Sequence, residues 1–116
     1  MMDVVSRSWG VEIMIAENEI RNQNCQQLLV AFFTKYPNAR LRIETDRTLK
    51  RLMAQKVPMP GKPGGWVGGI IYALTNQYRR ACGIPGLLNK ECEEFFNISM
   101  ETIYRRAAMI KKLSVI

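Results

Sequence analysis

The residues of this chain able to do chemistry, taken by type and spacing, are mainly cations. Arg105-Arg106 and Lys111-Lys112 stand near the C-terminus, and Arg47, Lys50 and Arg51 recur at the spacing of one helical face. Guanidinium and ammonium groups held in sets bind phosphate, arginine through a two-pronged fork. Other chemistry is poorly provided. The chain has no histidine, which removes the commonest general base and the usual activator of a Ser or Cys nucleophile. No paired carboxylates stand out, so an enzyme is not expected. Cys25, Cys82 and Cys92 include no Cys-x-x-Cys pair, so neither spacing signature of a zinc site is present. Reduced, packed thiols in a cytoplasmic protein are expected instead. Pro60-Gly61-Lys62-Pro63-Gly64-Gly65 matches no phosphate-cradling glycine motif, and its prolines lack N–H donors such a cradle needs. No small-molecule cofactor is expected.

The net charge of +7 is unevenly spread. Residues 1–36 are slightly acidic. Residues 37–62 hold Arg40, Arg42, Arg47, Lys50, Arg51, Lys56 and Lys62 against only Glu44 and Asp46, and residues 99–116 hold Arg105, Arg106, Lys111 and Lys112 against Glu101. Two separate basic blocks suit a surface that faces a polyanion. Charged residues interrupt every apolar run among the first twenty residues, so neither a signal peptide nor a membrane span is expected.

At 116 residues the chain is read as a single domain, 1–116, able to bury a core without staples. Hydrophobic spacing makes it all-α, a single orthogonal bundle of five to six helices. Asp3 can cap a first stripe, Val5, Trp9, Ile13, Ala16 and Ile20, which is read as a core face and, failing that, as a dimer surface. Gly10 weakens its middle, and the polar run Arg21-Asn22-Gln23-Asn24 separates it from a second stripe. That second stripe, Cys25, Leu28, Leu29, Phe32, Phe33 and Tyr36, ends before Pro37. Its phenylalanines are expected in the core rather than as a stacking platform. Leu41-Arg42-Ile43 alternates but is too short to decide. Thr45 or Asp46 then caps a short helix with Leu49, Leu52 and Met53 inward and Arg47, Lys50 and Arg51 outward. Residues 57–65 form a Pro/Gly connector. A central helix follows, bearing Trp66, Ile70, Ala73, Leu74, Gln77 and Tyr78 and ending at Gly83 and Pro85. In it Gly68 and Gly69 admit a close neighbour, though a Gly-x-x-x-Gly association face is not expected.

The last unit, residues 88–113, reads as a helix-turn-helix. Asn89 caps a helix reaching about Phe96, Asn97 takes a left-handed turn, Ile98 tucks in, and Ser99 caps the final helix. Ile103, Ala107, Ile110 and Leu113 face the bundle. Met100, Thr102, Arg105, Arg106, Met109 and Lys112 face outward. The stretch from Glu91 to Arg106 resembles the helix-turn-helix closing each cyclin-like repeat of transcription initiation factor IIB. The likeness lies in the acid opening the first helix, the apolar residue and serine of the turn, Thr102-Ile103, and Arg106 three residues on. Residues 18–113 also resemble a small prokaryotic helical domain family of unknown function, through Gly61-Lys62-Pro63-Gly64-Gly65-Trp66-Val67-Gly68-Gly69-Ile70-Ile71-Tyr72-Ala73 followed by the helix-turn-helix. These resemblances imply a helical fold, and the cyclin-like one also implies a packing or docking module. There are departures: Glu93 stands where such motifs place a small residue, and Phe96-Asn97 where Ala-Gly is common.

Two functions are therefore expected in competition. In the first, the chain binds DNA, with Thr102 and Arg106 at base edges or phosphates and Arg105, Lys111, Lys112, Arg47, Lys50 and Arg51 on phosphates. It would act as a small transcriptional regulator and as a homodimer. In the second, the same helices dock a protein partner, Met53, Met59, Met100 and Met109 offering adaptable contacts. Glu91, Glu93 and Glu94 on the first helix of the pair favour the second reading.

Overall fold

Trp66, Val67, Ile70 and Ile71 are apolar around most of a helical turn, and a helix so composed must be covered on several sides. The computed structural model, which describes residues 2–76 and 84–113 and the side chains from Glu19 onward, places them at its centre. Its described regular structure is entirely α-helical: α1 (Met2–Lys35), α2 (Ala39–Ala54), α3 (Pro63–Thr75), α4 (Asn89–Phe96) and α5 (Met100–Lys112). Helix α3 packs most extensively on α5, and also on α1, α2 and α4. One continuous buried cluster joins all five helices.

Pro63 opens α3 as its first residue, where its missing N–H costs nothing. The expected connector therefore stops at Lys62, and its last three residues belong to the helix. Gly64 and Gly68, and likewise Gly65 and Gly69, stand four apart along α3. The Gly-x-x-x-Gly spacing that was not expected is thus present twice, and it serves packing inside the chain. A Cβ on Gly64 would lie 2.0 Å from the Phe96 carbonyl oxygen, and one on Gly69 would lie 2.7 Å from Cβ of Arg106. Helices α4 and α5 consequently lie almost on the α3 backbone.

Several boundaries differ from expectation. The polar run 21–24 does not divide α1, which is one 34-residue helix. Arg, Gln and Asn cost only tenths of a kcal/mol each in a helix, and no proline interrupts the run. Residues 41–43 are helical, because α2 is capped by Asn38, whose Oδ1 accepts from the Leu41 N–H at 3.1 Å, rather than by Thr45 or Asp46. Thr45 is fully buried, its hydroxyl without a partner. Helix α2 ends in a Schellman turn: Lys56 takes φ +54, its N–H and that of Val57 bonding back to Met53 and Leu52. The expected positions Gln77, Tyr78, Cys82 and Gly83 lie outside the described residues, as do the side chains of Asp3, Val5, Trp9, Ile13 and Ala16.

Phe32 and Phe33 are buried as expected. Phe32 stacks on Phe96 with ring centres 5.3 Å apart and meets Phe33 and Phe95 edge-on, which ties α1 to α4. Among the described residues no helix is long and apolar enough to cross a membrane, and no group of His, Cys, Asp and Glu side chains could hold a metal ion.

Candidate nucleic-acid interface

Helices α4 and α5 are joined by residues 97–99. Asn97 adopts φ 52 and ψ 47, the left-handed conformation that stops α4, and its N–H returns to the Glu93 carbonyl. Ser99 then caps α5, accepting from the Thr102 N–H at 3.3 Å. Both features match expectation. The cap of α4 does not: Asn89 is already helical, Leu88 holds the cap position, and the Glu91 carboxylate reaches back to its N–H at 3.3 Å.

The glutamates of α4 thereby acquire distinct roles. Glu91 closes the start of its own helix. Glu93 is half-buried and accepts from the Met100 N–H at 2.9 Å, so it caps the next helix. A carboxylate there meets both the free N–H groups and the positive end of α5. Sequence reading had missed this role, although the seven-residue separation across a tight turn was a usable signal. Glu94 is left exposed.

On α5, Ile103, Ala107 and Ile110 are buried as expected. Leu113 is 38% exposed rather than packed, and Met100 is buried rather than outward. The reason is position: Met100 begins the helix beneath the turn, whereas Leu113 lies past its last turn. Met59 is also buried, which leaves Met109, at 41% exposure, as the clearly exposed member of the expected methionine set.

The proposed contact residues are in different situations. Arg105 is exposed, and its Nη2 donates to Thr102 Oγ1 at 3.2 Å. Thr102, half-buried, also shares a hydroxyl contact with Ser99 at 3.1 Å. Lys111 and Lys112 are exposed in the last turn. Arg106 departs from expectation. Its guanidinium lies 4.6 Å from the Trp66 ring centre, and its Nη2 donates at 3.1 Å to the Pro60 carbonyl, which also accepts from Trp66 Nε1 at 2.9 Å. The trough that holds it is floored by Gly61, Gly65 and Gly69, each of which would present a Cβ to it. Arg106 is therefore a half-buried clamp between α5 and the connector.

Arg47, Lys50 and Arg51 are exposed on α2, and Lys50 pairs with Asp46 at 2.8 Å. An exposed pair of this kind contributes little. Helices α2 and α5 each pack on α3, so the two basic blocks belong to separate helices with the central helix packed against both. Family models, curated proteins and solved structures were all compared with the chain, and none matches it.

Proposed function

We propose that the chain is a DNA-binding domain in which α4 and α5 act as a helix-turn-helix and α5 presents its outer face to the major groove. The observation that carries this reading is the short left-handed turn at Asn97 leading into a serine-capped helix whose open face holds Thr102, Arg105 and, farther on, Lys111 and Lys112. Arg105 and Thr102 are hydrogen-bonded to each other, so the side chain nearest the helix start is already oriented. Arg106 supports α5 and is a lesser contact. Two of the three α4 glutamates are engaged in capping, which removes part of the objection that this helix would repel phosphates.

The test is fluorescence anisotropy with duplex DNA across a salt series. Binding should weaken steeply as salt rises, because counterions released from phosphates drive it. Arg105→Ala and Lys112→Ala should each lower the salt slope by about one contact. A micromolar titration with no binding, or binding indifferent to salt, refutes the reading.

A second reading, protein docking, is favoured by the apolar side chains exposed on the same unit. Leu88 is 70% exposed before the start of α4, and Met109 on α5 and Leu113 just past its end are exposed as well. If it holds, Met109→Asp abolishes capture of a partner from nuclease-treated lysate, while duplex DNA gives no salt-dependent signal.

A further inference from the structure

The outer face of α5 is more ordered than a row of solvated cations requires. At about 100° per residue, Glu101, Arg105, Ala108 and Lys112 fall on the side of α5 opposite Met100, Ile103, Ala107 and Ile110, which the core buries. All four outer residues are exposed. Arg106 lies outside this line and is committed to Trp66 and the Pro60 carbonyl. Arg105 is thus the arginine of the pair that a ligand approaching α5 meets first. Ala108, small and exposed, lets that ligand come close to the helix between Arg105 and Lys112.

Arg105 is held in place. Its Nη2 donates to Thr102 Oγ1 at 3.2 Å, and Thr102 is itself fixed from two sides. The Thr102 methyl packs over Gly65 of α3, where an added Cβ would meet it at 3.4 Å. Its hydroxyl, accepting from Arg105, is free to donate its own proton to Ser99 Oγ at 3.1 Å. A β-branched side chain anchored at its methyl has little rotamer freedom. Order therefore passes from the α3 backbone through Thr102 to a guanidinium on the open face. The Thr102 bond uses one guanidinium N–H and leaves others for a planar, two-pronged contact, which depends on orientation. Glu101, one turn earlier on the same line, would repel a phosphate but can accept from the exocyclic amine of a base. Donor and acceptor side by side suit base edges better than a run of phosphates.

We infer that Arg105 reads a guanine in the major groove, its fork donating to O6 and N7, with Thr102 as the positioning residue. Guanine is the base that offers a fork two adjacent acceptors there. This role rests on the DNA-binding reading above and sharpens it, giving base recognition to Arg105 where sequence spacing pointed to Arg106. A cation in the groove still neutralises phosphate charge, so the change in salt slope expected of Arg105→Ala persists beside a loss of discrimination.

Selection from a pool of duplexes with a randomised core, followed by anisotropy on the selected duplex, tests it. The wild type should enrich a guanine at a fixed position. Replacing that base by 7-deazaguanine, which lacks the N7 acceptor, should weaken wild-type binding severalfold. Arg105→Ala should bind the guanine duplex about tenfold more weakly than wild type and should not distinguish it from the 7-deazaguanine duplex. Thr102→Val keeps the shape that packs on Gly65 and removes the acceptor. It should shrink the guanine preference severalfold while the thermal melt and the salt slope stay as in wild type. Lys112→Ala should weaken all duplexes alike. Three results overturn the inference while leaving the DNA-binding reading standing: salt-dependent binding with no enriched base, wild-type indifference to 7-deazaguanine, or a guanine preference that survives Arg105→Ala. A chain that binds no duplex at any salt overturns both.

Discussion

Arg105 and Arg106 are adjacent in sequence, yet they separate by function. Arg106 lies on Trp66 and bonds the Pro60 carbonyl, while Arg105 stands in solvent. Arg106→Ala should lower stability by about 1–2 kcal/mol in urea melts, through loss of a cation–π contact and a charged hydrogen bond. Arg106→Lys should recover little, since an ammonium lacks the plane that stacks. Arg105→Ala should leave the melt unchanged. The cysteines offer a second check. Burial pushes the Cys25 thiol up to about 11, and burial followed by the neighbouring Glu93 charge does the same for Cys92. Both titrate near about 8.5 when unfolded. The native state therefore holds protons that the unfolded chain releases between these values, and stability falls as pH rises from about 8.5 toward 11. Thermal melts should show this decline, and Cys25→Ala with Cys92→Ala should make it shallower.

At the scale of elements, the glycines of α3 decide how closely its neighbours approach. Gly64→Ala would drive a methyl into the Phe96 carbonyl, a backbone group that cannot move aside, and should cost about 3 kcal/mol. At Gly65 the nearest atom to an added Cβ is the Thr102 methyl at 3.4 Å, an ordinary contact. Gly65→Ala should thus stay within about 1 kcal/mol of wild type. Denaturant unfolding of the two variants measures the difference. The glycine pairs were visible in the sequence, but the neighbour each admits was not, because that depends on how α4 and α5 lie across α3. Helix ends followed the same rule. Ser99 and Asn97 act locally and were legible, whereas Glu93 capping α5 and Asn38 displacing Thr45 depended on competition among several possible caps.

At the scale of the whole molecule, all-α character and the central place of Trp66, Ile70 and Ala73 were legible because hydrophobic periodicity reports burial directly. The α4–turn–α5 unit was legible because its turn chemistry lies within a few residues. Charge blocks in sequence did not translate directly into free cations, since Arg106 is drawn onto Trp66 and Lys50 pairs with Asp46. By itself, then, the sequence determined that the chain is helical, which residues recur at core spacing and where the cations lie along the chain. The tertiary structure alone decided that Arg106 is a clamp and that Glu93 is a cap. The physical reason is one of range. Propensity, capping and periodicity act within a few residues, whereas the orientation of a side chain toward core or solvent is fixed by helix continuity and by contacts between segments distant in the chain.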